Sequence, residues 1–314
     1  MPLITVITPT YNRAHLLPRL YDSLCRQTFT DFEWIVVDDG STDDTQEVLA
    51  KLSADCYQKV QSSRFKVQSN SNHKPQTFKK ENGGKHTAVN LGIRYAKGEL
   101  VFIADSDDML LPDSLKVVAT EWMKVNRNDR IGGIAGLDVN ALDGKVIGSG
   151  LPKSFIDCDA MDIRYKYHVT GDLKEVFRTS VLREFPFPEI KGERFCPEQL
   201  VWFRIAQKYN LHYLNRPIYL VEYQSNGISA GITKARMHSP LASMMTYSEM
   251  LGYAIPFKEK VKAAINYWRF RCCYRRTENN INIAMPRVSF LWTMLAPFGV
   301  LLHLNDKRIV GKKS

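Results

Sequence analysis

The chain opens with an unbroken β-branched, apolar run, Leu3 to Thr8, stopped by Pro9, and a second such run spans Glu33 to Val37. Neither alternates with polar residues, so both read as parallel strands buried on two faces. Between them Leu16, Leu17, Leu20 and Leu24 recur at helical spacing, which predicts a strand, helix, strand unit of the right-handed crossover type. Asp43 to Leu52 reads as a helix capped by Ser41 or Thr42, with Asp43 and Asp44 in its first turn. Ser62 to Lys80 is polar and irregular, so an insertion loop is expected there. Lys85 to Lys97 reads as a helix ending near Gly98, Glu99 to Ala104 as a strand, and Pro112 to Val125 as a helix with Pro112 as its first residue. This alternation predicts an α/β fold with a Rossmann-like, mostly parallel central sheet flanked by helices.

From about Gly132 the pattern becomes mixed, with a hairpin through Asp143 and Gly144, a helix from Leu200 to Tyr209 and an extended run from Leu211 to Val221. From about Met237 the chain turns helical and apolar again. The expected organisation is therefore residues 1–130, a mixed half over 131–236, and a helical extension over 237–314.

A chain of 314 residues, 44% hydrophobic, can bury a substantial core. Its net charge of +10 implies attraction to something acidic, and nucleic acid, anionic lipid and phosphorylated substrates all qualify. The basic residues cluster with apolar tail segments rather than in an aromatic-bearing RNA motif, which argues against nucleic acid. The six cysteines form no CxxC pair, so neither a zinc site nor a disulfide framework is signalled. Met1 leads straight into a strand pattern with no basic, apolar leader, so a cytoplasmic location is expected.

In open α/β sheets ligands gather beyond the carboxyl ends of the strands. Here those ends read Thr8-Pro9-Thr10-Tyr11-Asn12-Arg13, Val37-Asp38-Asp39-Gly40-Ser41 and Ala104-Asp105-Ser106-Asp107-Asp108. Five carboxylates at one edge repel one another unless a cation or a donor-rich ligand sits among them. Asp105 and Asp107, two residues apart just past a strand, suit a hard divalent cation such as Mg2+ or Mn2+, which takes oxygen ligands and keeps positions for water and phosphate. The plainer reading of Asp-Ser-Asp-Asp alone is a turn that caps a helix. No GxGxxG follows any predicted strand, which disfavours a nicotinamide dehydrogenase.

Taken together, Pro9-Thr10-Tyr11-Asn12, Val37-Asp38-Asp39-Gly40-Ser41-Thr42-Asp43, Asn82 to Gly92, and Gly98 to Asp108 followed by Pro112 resemble the family-2 glycosyltransferases of the GT-A fold over roughly residues 3–113. The resemblance implies a nucleotide diphosphate-sugar donor, with uridine diphosphate favoured, and residues 1–130 as its binding half. Thr8, Pro9 and Tyr11 would line the base pocket, and Asp39 would accept hydrogen bonds from base or ribose. Asp105 would reach ribose or metal beside Ser106, and Asp107 would be the main metal ligand. Asp38 is either a strand-end turn residue or a nucleotide contact. Backbone N–H groups of the Asn82 to Gly92 loop, and Lys85, would face phosphate, while Asn90 and Gly92 fit helix entry and packing better. A pyrophosphorylase would carry a glycine-rich loop after the first strand, where this chain has Pro9 to Arg13.

Transfer also needs a base for the acceptor hydroxyl. Gly192 to Arg204 is similar to the family's acidic motif before a helix bearing Trp and Arg. Many relatives have Glu-Asp where this chain has Glu198-Gln199, and since glutamine is no base, Glu198 is the candidate. The alternative is a helix-capping glutamate, and with it a catalytically silent sugar-nucleotide-binding protein. Arg204 would orient the carboxylate or meet phosphate, and Trp202 would stack on a sugar or pack in the core. Tyr223 and Ser229, flanking Asn226-Gly227, are candidates for acceptor or diphosphate contact, against a plain turn. The resemblance implies a glycan or polyprenyl-linked acceptor.

Lys258 to Arg276 reads as a helix with Val261, Ile265, Trp268 and Cys272 on one face, and Val288 to Leu304 as a largely apolar stretch with basic flanks. Pro297, Gly299 and His303 weaken it as a span, so a helix lying on an anionic membrane surface is expected, with a true span and intramolecular packing or a homo-oligomer interface as the alternatives.

Overall fold

The computed structural model describes residues 1–62, 74–222, 231–280 and 282–310, with the side chains of 55–62 excepted. In chain order the first elements are β1 (Ile4–Thr10), α1 (Leu17–Cys25), β2 (Phe32–Asp38), α2 (Thr45–Ser62), β3 (Pro75–Lys79), α3 (Lys85–Tyr95), β4 (Leu100–Ile103) and α4 (Ser114–Val125). They are followed by β5 (Ile131–Asn140), β6 (Phe155–Cys158), α5 (Asp162–Tyr165), β7 (Leu173–Arg178), α6 (Thr179–Glu184), α7 (Glu198–Ile205) and β8 (Asn210–Val221). The last are α8 (Ile232–His238), α9 (Pro240–Met250), α10 (Phe257–Arg271), α11 (Phe290–Thr293) and α12 (Ala296–Val310). The chain divides into a sheet unit, Met1–Pro186 with Ile205–Tyr223, and a helical unit, Phe187–Arg204 with Gln224–Ser314.

In the sheet unit the strands form one mixed sheet in the order β3-β2-β1-β4-β7-β5-β8-β6. β3, β2, β1 and β4 are mutually parallel, β7 is antiparallel to both β4 and β5, and β8 is parallel to β5. Every residue of β1 and β2 is buried, as two-sided coverage requires. One face packs Val6, Trp34 and Phe102 against Leu17 and Leu20 of α1 and Leu115, Val118 and Trp122 of α4. The other receives α3, where a Cβ on Gly92 would lie only 2.6 Å from the Ile7 side chain. Gly92 is thus a packing glycine.

Three local readings are corrected. β3 lies inside the span expected to be a loop. It is an edge strand of alternating burial that starts at Pro75, and an edge strand tolerates both proline and polar residues, so it carries no apolar run. Helix α2 begins at Thr45, where the Asp43 carboxylate, rather than Ser41 or Thr42, accepts from the Thr45 backbone N–H at 3.1 Å and its hydroxyl at 2.5 Å. Helix α4 starts at Ser114 with Asp113 as its cap, so Pro112 precedes the helix.

Candidate active site

The carboxyl ends of β1, β2 and β4 open on one edge of the sheet, and each strand leaves through a polar turn. The first two turns are stapled together. Asn12, in the left-handed region at φ 52°, donates its N–H to Ser41 Oγ at 2.9 Å, and its Oδ1 accepts from Thr42 N–H at 2.8 Å. A short amide side chain tolerates that backbone better than a branched one. Thr8 is fully buried, its hydroxyl accepting from the Trp34 indole at 3.0 Å, and Pro9 is buried in β1. Of the three side chains expected at a base pocket, Tyr11 alone is exposed.

Asp38 and Asp39 have separate tasks. Asp38, fully buried, accepts from Ser41 N–H at 2.8 Å and from the Gln46 amide, closing the turn into α2. Asp39 accepts from Lys80 Nζ at 2.7 Å, Gly83 N–H at 2.9 Å and Gly84 N–H at 2.7 Å. The expectation that this glycine loop turns its N–H groups to phosphate is therefore corrected at Gly83 and Gly84, whose donors serve Asp39.

Lys85, the first residue of α3, pairs with both carboxylate oxygens of Asp105, at 2.7 and 2.8 Å. The turn that follows β4 is held from three other elements. Asp105 N–H donates to Tyr219 Oη at 2.7 Å, and the Lys174 ammonium sits 3.7 Å from the centre of the Tyr219 ring. Arg19 donates to the Asp107 carbonyl at 2.6 Å and pairs with Glu222. Glu222 N–H donates to Asp108 Oδ1 at 2.9 Å. Ser106 is buried within the turn.

This geometry sets three unequal acids. Burial pushes the Asp105 carboxyl up, but the Lys85 and Lys174 ammoniums outweigh it and hold the group below the usual carboxylate range. Burial and then the Asp105 charge raise Asp107, against weaker pulls from Arg13 and Lys85. The same two causes push Asp108 up to about 7. One anion is thus clamped by lysines, and its two neighbours resist ionising beside it.

Among the described residues no group of three or more His, Cys, Asp or Glu is arranged to hold a metal. A cation that brings phosphate and water as its other ligands needs fewer, and the Asp107 carboxylate, raised by burial and by the Asp105 charge, is an oxygen donor whose ionisation such a cation would favour. Asp105 is the second oxygen donor of the pair. The residues fit such an ion.

In the helical unit Glu198 is the exposed first residue of α7. Trp202 meets the Phe187 ring edge-on, centroids 5.7 Å apart. Arg204 forks onto Glu249 at 2.9 and 2.6 Å, and Tyr253 Oη donates to the same carboxylate at 3.0 Å. The carboxylate that Arg204 orients is therefore Glu249. Glu193, buried, accepts from Leu241 and Ala242 N–H at 2.7 and 2.9 Å and caps α9. Tyr223 and Ser229 lie outside the described residues.

Lys80, Lys174, Arg19, Tyr219, Glu222 and Asp108 complete the sheet-edge site, and the sequence reading gave none of them a role. Only Asp108 carried a local signal, as the last acid of the Asp-Ser-Asp-Asp run.

The mixed α/β sheet, with an acidic turn past its fourth strand beside a lysine-paired aspartate, has the GT-A type fold of the solved structures it resembles. S. aureus TarS, solved with UDP, superposes at a TM-score of 0.58 and 20% identity, covering 90% of this chain and 75% of that one. A mannosyltransferase from Pyrobaculum calidifontis in complex with GDP-Man and Mn2+ superposes at 0.54 with 20% identity, over 96% of this chain and 81% of that one. Residues 5–136 match the model of glycosyl transferase family 2. Over 331 residues it is 29% identical to the GalNAc(5)-diNAcBac-PP-undecaprenol beta-1,3-glucosyltransferase of Campylobacter jejuni, covering 98% of each chain. It is also 34% identical over 124 residues to larger bacterial polysaccharide synthases, of whose length it spans only 11%.

Proposed function

We propose that this glycosyltransferase moves a sugar from a nucleotide diphosphate-sugar, a UDP-sugar first, onto a hydroxyl of a lipid-linked glycan, with inversion at the anomeric carbon. The observation that carries the reading is the acidic turn after β4, where Lys85 clamps Asp105 while burial and the Asp105 charge raise Asp107 beside it. The polyprenyl acceptor and the UDP donor are supported by the names of the relative and the neighbour, and a lipid-linked acceptor puts the enzyme at a membrane surface, on the cytoplasmic face. Tyr11 offers an exposed ring to the base, and Asp107 with Asp105 would hold Mg2+ or Mn2+. Such an ion supplies positive charge to the diphosphate as it leaves. Glu198 takes the acceptor proton, the freed oxygen bonds to the anomeric carbon, and the bond from that carbon to the diphosphate oxygen breaks with its electron pair.

The test is calorimetric titration of a UDP-sugar with Mn2+ and with EDTA, paired with turnover on a polyprenyl-diphosphate glycan. Asp107→Ala should weaken Mn2+-dependent donor binding at least tenfold. Glu198→Gln should bind donor as the parent does and lose turnover at least a hundredfold. Donor uptake at full strength in EDTA, unchanged in an Asp105→Ala, Asp107→Ala double variant, defeats the metal assignment. Full turnover by Glu198→Gln defeats the base.

A further inference from the structure

The helical unit ends in a helix whose polarity is inverted. Gly299, His303 and Asp306 recur along one stripe of α12 and are its buried residues, turned onto α10. A Cβ on Gly299 would stand 2.5 Å from Trp268 Cβ and 2.7 Å from the Ile265 carbonyl, so glycine is what lets the helices meet. Asp306 takes both forks of Arg269, at 2.5 and 2.6 Å, and Cys273 Sγ lies 3.5 Å from His303 Nδ1. The α10 face expected to touch lipid, with Ile265 and Trp268, is therefore covered by α12.

The apolar residues of the tail lie outside. Phe290, Leu291, Met294, Phe298, Leu301 and Leu304 are all more than half exposed, Phe290 at 86%. A surface helix in water normally turns its leucines inward, and a patch of this kind marks an interaction surface. Exposed Arg287 precedes the patch and exposed Lys307 and Arg308 follow it. Between residues 257 and 310 there are ten Lys or Arg against three Asp or Glu. Helix α12, with 15 residues, is about 22 Å long, shorter than a bilayer core of about 30 Å. No helix among the described residues is long and apolar enough to cross a membrane.

We infer that the outer face of α11 and α12 is a monolayer-insertion surface, which lies in the headgroup boundary of an anionic membrane with its leucines and phenylalanines down and its basic rim on lipid phosphate. The charge decides between occupants. A second copy on this face would bring two basic rims together, whereas anionic lipid neutralises them. The inference deepens the lipid-linked-acceptor reading by assigning the surface that brings the enzyme to its acceptor, and it is tested without donor or acceptor.

The experiment is sedimentation of the full chain with vesicles of phosphatidylglycerol and phosphatidylcholine, or of phosphatidylcholine alone, at low and high salt, with light scattering of the vesicle-free protein. The parent should bind anionic vesicles and lose most of that binding in phosphatidylcholine or in high salt. Phe290→Ser, Met294→Ser, Leu301→Ser should weaken partition tenfold or more while far-UV circular dichroism stays unchanged. Lys307→Glu, Arg308→Glu should remove the preference for anionic lipid. Indifference of the parent to vesicles overturns the inference, as does a folded triple variant that binds like the parent. A triple variant that turns a parent oligomer into a monomer without changing vesicle binding assigns the face to a second copy instead. UDP binding, measured separately, reports on the transferase reading, so either can fail alone.

Discussion

Replacing Asp108 with asparagine should flatten the fall in stability between about pH 4 and pH 7. Asp108 is 6% exposed, and burial, then the Asp105 charge, lift its carboxyl from an ordinary 3.8 to about 7. In that window the folded chain keeps a proton that the unfolded chain has released, so the unfolded state gains on the folded one as pH rises. Each pH unit costs about 1.4 kcal/mol, and the span from 3.8 to about 7 sets a ceiling of about 4 kcal/mol, part of which belongs to the coupled acids beside it. Asp107, also raised, pulls the same way, while lowered Asp105 is lost only below the window. Asparagine keeps an Oδ1 to accept the Glu222 N–H, so the turn retains that bond. The assay is urea unfolding in EDTA from pH 4 to 8, followed by fluorescence, since Trp34 and Trp122 are fully buried in the sheet unit. The variant should match the parent near pH 4 and exceed it by one to several kcal/mol above pH 7. A difference between them that does not change with pH would refute the electrostatic account of the acidic turn.

The sheet-edge acids were legible in the sequence because each follows directly on a strand that announces itself. β1, β2 and β4 are buried on both faces and are dominated by β-branched and apolar residues, so their ends are sharp. β3 escaped because an edge strand has one neighbour, and Pro75 and Lys79 are acceptable there. The cations around the acids were invisible for a different reason. Lys80 reaches Asp39 across 41 residues, Arg19 reaches Asp107 across 88, and Tyr219 meets Asp105 across 114. No local pattern encodes such pairings. The tail misled because amphipathic periodicity reports a stripe without saying what covers it: α10 has one apolar face against α9 and offers the other to α12, whose own leucines are left over.

Three further outcomes follow from particular contacts. Lys85→Met removes an ammonium that holds Asp105 below the usual range, so the Asp105 carboxyl should move up in NMR titration; an unmoved value would assign the depression to Lys174 alone. Gly299→Leu forces a side chain onto Trp268 and should cost about 1–3 kcal/mol in thermal unfolding, or release α12 to proteolysis; a neutral outcome would deny the close contact of α10 and α12. The Arg269 and Asp306 pair lies beneath that contact, with the Asp306 side chain 7% exposed. Arg269→Met strands that carboxylate and should cost about 3–5 kcal/mol, whereas adding Asp306→Leu should return most of the loss, because two well-packed apolar groups can replace a buried ion pair. Additive losses in the double-mutant cycle would mean that the two side chains act independently and that leucine packing, not this polar seam, fixes α12 with its apolar face outward.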